Sequence, residues 1–246
     1  MLDSIRLSLG TLTALPTGRV EVTPAVARRA MLLAPFAVAP LAAAAVGAGW
    51  LARLAGWPQL VSGLLVVAAL ALGTRALHLD GLADTVDGLG SGRSAEPALA
   101  IMRRGDVGPM GVVALVLVSG LQASAAGALL GAGSWLCLGL VVCGSRLALA
   151  VGCARGVPAA RSEGLGSAVA GTVPRLGAVA GWIVLAGVLG VVQASWWFGL
   201  MVACAGLLAA LALTVHCVRR LGGITGDVLG AGVELTLVVM LLVALA

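Results

Sequence analysis

Long apolar runs dominate the chain, and short segments rich in charged residues, glycine and proline separate them. Seven runs come close to the length of a helix of about 20 residues, which crosses the ~30 Å hydrocarbon layer of a bilayer. We place these spans at residues 31–52, 59–77, 109–131, 134–153, 176–193, 196–217 and 229–246. Because a lipid-exposed backbone must satisfy its own hydrogen bonds, the pattern predicts an all-α, polytopic membrane bundle.

The segment before the first span, residues 1–29, alternates polar and apolar residues and lacks the order of a signal peptide. Its apolar positions before Pro16 predict a short helix that lies in the membrane interface or packs against the bundle. We therefore treat residues 1–246 as a single membrane-embedded domain with an interfacial or cytoplasmic N-terminal segment.

Composition supports this class and excludes others. Hydrophobic residues make up 61% of the chain and charged residues only 10%, against roughly 25% charged residues in a soluble domain. A water-soluble globule could not cover its surface with so few ions. The net charge of +5 does not indicate a nucleic-acid partner, because the basic residues are dispersed and tyrosine is absent.

The distribution of arginine predicts the orientation of the bundle. All fifteen basic residues are arginine, and fourteen lie in the N-terminal segment or in and beside the second, fourth and sixth connections. The other connections and the C-terminus contain only Arg53. Cytoplasmic segments of membrane proteins carry the excess of Lys and Arg, so the N-terminus is predicted to be cytoplasmic. The ten acids then fall on the cytoplasmic side, where we expect the chemistry.

The strongest local motif is HLDGLADTVDG, from His78 to Gly88. Asp80, Asp84 and Asp87 are spaced i, i+4 and i+7, so a helix would present them on one face. Such a stripe needs a neutralising cation, and clustered carboxylates are the ligands that Mg²⁺ prefers. The alternative is a solvated face paired with nearby arginines. His78 adjoins the stripe and is a candidate base.

Two further motifs favour phosphate chemistry. In IMRRGDVGPMG (101–111), Arg103 and Arg104 precede a span and, with free backbone N–H groups, could hold a phosphate. Membrane anchoring by the positive-inside effect is the alternative. In RRLGGITGDVLGAGVE (219–234), a glycine-rich loop opens a helix, which is a cradle for phosphate or a means of close helix packing.

Charged residues within or between spans add candidates. Asp227 and Glu234 share one face if the last helix begins near Asp227, and Glu234 then lies inside the apolar region, where an acid indicates function. Arg146, inside a predicted span, is expected to meet a carboxylate or a phosphate. The segment ARSEGLGSAVAG (160–171) adds Arg161 and Glu163 as a lid or substrate loop.

Taken together, HLDGLADTVDG, MRRGDVGPMG, EGLG and GGITGDVLGAGVE resemble the cobalamin synthase family in order and spacing, over essentially the whole chain. The resemblance implies a multi-pass enzyme of the bacterial inner membrane with its active site facing the cytoplasm. It would join adenosylcobinamide-GDP to α-ribazole or its 5′-phosphate with Mg²⁺, giving adenosylcobalamin or its phosphate and GMP.

For this reaction we assign roles to the candidate residues as a hypothesis. Asp80, Asp84, Asp87 and Asp227 would bind Mg²⁺, with a carboxylate of the cluster or His78 as base. The residues expected to bind substrate or phosphate are Arg103, Arg104, Asp106, Arg146, Glu163, Gly226, Asp227 and Glu234. The expected partners are the two substrates and the lipid bilayer, and association into a homo-oligomer is left open.

Two other functions stay open at this point. A CDP-alcohol phosphotransferase also uses an Asp-rich helix and Mg²⁺, but its signature has an arginine that the sequence after Gly81 lacks. A small-solute transporter would explain the spans and Glu234, but it predicts acids near the middle of the membrane and paired broken helices.

Overall fold

The structure, a computed structural model, describes residues 1–246 and contains twelve helices and no strand. In chain order these are α1 (Leu2–Leu12), α2 (Pro24–Leu54), α3 (Gln59–Gly73), α4 (Leu77–Gly90), α5 (Ala95–Ile101), α6 (Pro109–Gly131), α7 (Trp135–Ser145), α8 (Leu147–Gly152), α9 (Leu165–Val169), α10 (Arg175–Val192), α11 (Trp196–Leu221) and α12 (Gly226–Val243).

The predicted membrane fold is confirmed. Six segments are long and apolar enough to cross a bilayer: α2, α6, the joined α7 and α8, α10, α11 and α12. The successive helices α3 and α4 make a seventh candidate, bent by 91°. Each of the seven predicted spans overlaps one of these segments. The direction in which the bundle crosses the membrane stays a prediction.

The outer surface of the bundle is apolar. Leu176 and Val191, at the two ends of α10, are 81% and 82% exposed, and other large aliphatic side chains on α11 are also uncovered. Inside the bundle, small residues such as Ala30, Ala34 and Ala45 are fully buried. Lipid tails solvate exposed aliphatic side chains, and small interior residues let helices approach closely, as expected for a membrane bundle.

The N-terminal segment forms the predicted short helix, α1, which packs against the bundle. Leu7 and Leu12 are buried in the same apolar cluster as Ala27 and Met31 of α2. Thr23 caps α2 by accepting a hydrogen bond from the N–H of Val26, with proline following at the first helical position. The segment therefore packs against the bundle, which was one of the two predicted alternatives.

A sharp turn between α3 and α4 directs the helix that carries the acidic motif. Arg75 and Ala76 both have φ of 55°, a left-handed conformation that non-glycine residues rarely adopt. After this turn α4 packs against α6 and α12, and Leu82 is buried beside Ala231. The turn thus brings the aspartate stripe against the start of the last helix.

The loop before α12 is held by the long connection between α8 and α10. The Ala160 N–H donates to the Ile224 carbonyl at 2.9 Å, and the Ile224 N–H donates to the Pro158 carbonyl at 2.9 Å. Gly222, with φ of 82°, ends α11, and Thr225 caps α12 by accepting from the N–H of Val228. The glycine-rich motif is therefore an ordered turn between two helices.

Candidate active site

The acidic stripe lies on one helix, as predicted. Asp80, Asp84 and Asp87 all belong to α4, and none of the three is buried. On the other side of the helix His78, Leu82 and neighbouring small residues are buried against the bundle. The helix is thus amphipathic, with its carboxylates on the accessible side.

Close contact between α4 and α12 adds Asp227 to this stripe. A Cβ atom on Gly81 would lie 2.6 Å from the Asp227 carbonyl oxygen, and a Cβ on Gly230 would lie 3.1 Å from the His78 Cα. Only glycine permits backbones to approach this closely. The glycines of the first and third motifs therefore serve the same crossing, which places Asp227 beside Asp80 and Asp84.

Arg161 is the cation at this crossing, whereas the sequence indicated it only as part of a lid or substrate loop and gave it no binding role. Its Nη1 lies 3.4 Å from Asp227 Oδ2, and its Nη2 donates to the Leu99 carbonyl at 3.0 Å. The Thr225 hydroxyl, 3.1 Å from the same Asp227 oxygen, helps to fix that carboxylate. The position of Arg161 just before the EGLG motif was a sequence signal for a functional role. Because Arg161 and Asp227 are 66 residues apart in the chain, the sequence did not show that they pair.

A polar cavity of about 260 Å³ opens beside Arg161 and Asp227. Glu163 and the glycine-rich backbone at residues 164–167 form one wall, and Thr225 and Gly226 form another. The predicted site residues Glu163, Gly226 and Asp227 therefore do line one cavity. Exposed backbone N–H groups at a helix start, together with a guanidinium, are suited to binding phosphate oxygens.

Asp87 differs from the other two aspartates of the stripe. Its Oδ2 accepts from the Gly108 N–H at 2.7 Å, and its Oδ1 accepts from the Gly111 N–H at 2.9 Å. The prediction that backbone N–H groups of the second motif are free for phosphate is therefore wrong at these two positions. Both oxygens of Asp87 are already engaged in holding the start of α6.

The remaining residues of the second motif lie around a second cavity, of about 280 Å³. Arg104 and Asp106 line it with Asp87, while Arg103 is exposed but does not line it. The two cavities adjoin opposite ends of the carboxylate stripe, one near Asp227 and the other near Asp87.

Three predicted site residues lie in the interior instead. Arg146 is 1% exposed, His78 3% and Glu234 7%. This burial does not fit direct contact of Arg146 or Glu234 with a solvated phosphate, because either side chain would have to leave the apolar core to reach it. His78 is likewise shielded from the accessible side of α4. The sequence indicated Arg146 and Glu234 because they lie inside predicted spans, and His78 because it adjoins the aspartate stripe. It could not show which way their side chains face.

The accessible carboxylates fit a divalent cation by donor chemistry. Asp80, Asp84 and Asp227 offer hard oxygen ligands at a position partly open to solvent. No three acid, histidine or cysteine side chains surround a common point in the structure. Mg²⁺ commonly keeps several waters and needs only one or two carboxylates together with substrate phosphates, so a closed protein cage is not required.

Fold and site together define a multi-pass helical membrane protein with carboxylates and arginines gathered at one end of its bundle. The chain belongs to the cobalamin-5-phosphate synthase family, whose sequence profile matches residues 4–245. Among its relatives, an adenosylcobinamide-GDP ribazoletransferase of a Nocardioides species is 47% identical, covering 98% of each chain.

Other relatives carry the same name. The adenosylcobinamide-GDP ribazoletransferase of Bradyrhizobium diazoefficiens is 41% identical, covering all of this chain and 94% of its own. That of Frankia casuarinae is 35% identical, covering 99% and 94%. No solved structure matches the chain.

Proposed function

We propose that the protein joins adenosylcobinamide-GDP to α-ribazole, or to its 5′-phosphate, at the cytoplasmic face of the bacterial inner membrane. GMP is the second product. One structural observation carries the proposal: the glycine-mediated crossing of α4 and α12 gathers Asp80, Asp84, Asp227 and Arg161 beside a polar cavity. The identity of the substrates is inferred from family membership over nearly the whole chain and from the name that the relatives share.

The reaction requires negative charge to be controlled at a diphosphate. A ribose hydroxyl of the ribazole attacks the phosphorus nearer the corrinoid, and the bond from that phosphorus to the bridging oxygen breaks. GMP leaves with the bridging oxygen. The hydroxyl proton passes to a carboxylate of the stripe, and we assign this role to Asp84, the central member, which is partly shielded from water.

Arg161 is assigned to the diphosphate. Its guanidinium is held by the Leu99 carbonyl and by Asp227, so it is oriented before any substrate binds. A preoriented cation stabilises the charge that develops on the transferring and leaving phosphoryl groups more than a mobile one would. Gly226 and the backbone at residues 164–167 complete the phosphate-binding wall of the cavity.

Asp80 and Asp227 would hold the Mg²⁺ ion together with substrate phosphates, and the ion when bound would supply positive charge to phosphate oxygens and to the leaving group. Asp87, whose two oxygens hold Gly108 and Gly111, is assigned to the loop rather than to the metal. This narrows the ligand set predicted from the motif spacing.

The test is a single substitution with a matched control. Asp84→Asn should lower GMP release from adenosylcobinamide-GDP, α-ribazole and Mg²⁺ by about 10²-fold or more, the usual contribution of a positioned general base. Asp3→Asn, on the exposed side of α1, should retain normal turnover. Equal turnover in the two variants would remove Asp84 from the mechanism. No GMP above background from the unmodified protein would favour a CDP-alcohol phosphotransferase or a transporter.

A further inference from the structure

Four polar side chains from different parts of the chain meet in the apolar interior, close to the carboxylate stripe. His78 lies on α4, Gln122 on α6, Arg146 at the junction of α7 and α8, and Glu234 on α12. Each is at most 7% exposed. Polar groups buried in this way are costly unless they satisfy one another, so their meeting calls for a functional explanation.

Glu234 is the centre of the cluster. Its Oε2 accepts from Gln122 Nε2 at 2.7 Å, and the same amide group lies 3.3 Å from the Glu234 carbonyl oxygen. Its Oε1 lies 3.9 Å from His78 Nδ1. Gln122 thus contacts both the side chain and the backbone carbonyl of Glu234, and these contacts join α12 to α6.

Arg146 supplies the opposite charge. Its Nη1 donates to the Val142 carbonyl and to the Ser145 hydroxyl, both at 2.8 Å, while its Nε has no partner. Arg146 and Glu234 line the same small cavity, of about 10 Å³, which is the size that one water molecule needs. The two side chains make no direct ion pair, so their opposite charges act on each other across this cavity, and loss of one charge leaves the other without a counter-charge.

Two members of the cluster are close in sequence to the proposed reacting residues. Glu234 is seven residues, or two helical turns, after Asp227, and His78 is two residues before Asp80. The His78 backbone is also the surface that Gly230 of α12 touches. Gln122 of α6 therefore holds Glu234 at a point where α12 also approaches His78 of α4, so fixing Glu234 limits how α12 can move against α4.

We propose that Gln122, Arg146 and Glu234 form a positioning network that fixes α12 against α6, and that this holds α12 in its packed position on α4 and keeps Asp227 beside Asp80 and Asp84. None of the three touches substrate. The effect on turnover rests on the proposed function, whereas the effect on the order of α4 does not. This role accounts for the buried charges of Arg146 and Glu234, which phosphate binding does not explain.

The experiment combines hydrogen exchange in detergent micelles with steady-state kinetics. Gln122→Leu removes the hydrogen bond to Glu234 and should speed backbone exchange in peptides from α4 by about tenfold or more, as expected for losing a hydrogen bond to a charged group. Glu234→Gln keeps an acceptor for Gln122 but leaves Arg146 without a counter-charge, and it should speed the same exchange. In the same variants kcat for GMP release should fall by about 10- to 100-fold while KM for both substrates changes little, because misplaced groups act mainly on the chemical step.

Two further variants make the test specific. Gln193→Leu makes the same change at the end of α10 and should leave α4 exchange and kcat unchanged. Arg146→Met combined with Glu234→Gln removes both charges, and α4 should then exchange more slowly than in either single variant. Gln122→Leu keeps the proposal testable if the Arg146 variants do not fold.

The outcomes separate this inference from the proposed function. Unchanged α4 exchange in Gln122→Leu and Glu234→Gln would overturn the network, as would a double variant that exchanges faster than both singles. Faster exchange with normal kcat would overturn its role in positioning. If the variants loosen α4 but the unmodified protein forms no GMP, the network stands and the proposed function fails.

Discussion

At the scale of single residues, three aspartates that look equivalent in the sequence have different surroundings. Asp80 and Asp84 face the accessible side of α4 near Asp227, whereas Asp87 binds two backbone N–H groups at the start of α6. A carboxylate that already accepts two short hydrogen bonds is a poorer candidate to bind a metal. Identical spacing on a helix therefore does not imply identical chemistry.

Replacement of Asp87 tests this division of roles. Asp87→Asn retains one acceptor oxygen but turns an amide N–H₂ group towards a backbone donor, so one N–H at the start of α6 loses its partner. We expect a loss of about 1–3 kcal/mol in stability, the cost of an unsatisfied buried donor. Limited proteolysis should show faster cleavage within residues 102–109.

The Mg²⁺ dependence of the same variant provides the discriminating measurement. If Asp87 holds only the loop, Asp87→Asn should lower turnover without changing the Mg²⁺ concentration that gives half-maximal activity. Asp80→Asn should raise that concentration, because it removes a proposed ligand. If both variants raised the Mg²⁺ concentration for half-maximal activity by a similar factor, Asp87 would also be a metal ligand.

At the scale of elements, the decisive feature is how close α4 comes to α12. The glycine after Asp80 and the glycine three residues after Asp227 remove the side chains that would separate the two helices. The two glycines are 149 positions apart in the chain. Glycine beside an acid can thus act by bringing another acid near, as well as by admitting a ligand.

Gly81→Ala should therefore damage the site without removing any polar group. The added methyl would lie 2.6 Å from the Asp227 carbonyl oxygen, so α12 must shift and carry Asp227 away from the stripe. We expect turnover to fall by about 10²-fold, as for small displacements of catalytic groups. The measurement is GMP release together with thermal unfolding in detergent.

Gly120→Ala is the matched control, since Gly120 lies inside α6 with open space around its Cβ position. Alanine favours helix over glycine by up to about 1 kcal/mol, so this variant should be as stable as the unmodified protein or more so. Equal turnover in the Gly81 and Gly120 variants would show that the crossing does not position the site.

Much of this arrangement could be predicted from the sequence, because the relevant signals are local. Apolar run length indicated the spans, and spacing within α4 and α12 placed their acids on common faces. Contacts between distant segments could not be predicted in this way. The pairing of Arg161 with Asp227 and the bonding of Gln122 to Glu234 depend on how helices cross, which a single sequence does not encode as a periodic pattern.

At the scale of the whole molecule, the site occupies one end of the bundle. The loop 102–108, the connection 154–167 and the turn 222–226 all contribute to the two polar cavities or to their walls. α6 starts beside Asp87 and runs for 23 residues, so the connection after Gly131 lies about 35 Å away. The candidate site residues, Arg104 and Arg161 among them, lie at this end.

The orientation of that end can be tested directly. In a variant without the five native cysteines, which are all free, Ala132→Cys and Ser162→Cys would place single thiols at opposite ends of the bundle. The positive-inside distribution predicts that a membrane-impermeant maleimide labels position 132 in intact cells. Position 162 should be labelled only after the membrane is permeabilised. The opposite pattern would place the carboxylates outside the cytoplasm, away from GDP-linked substrates, and would contradict the proposed reaction as well as the predicted topology.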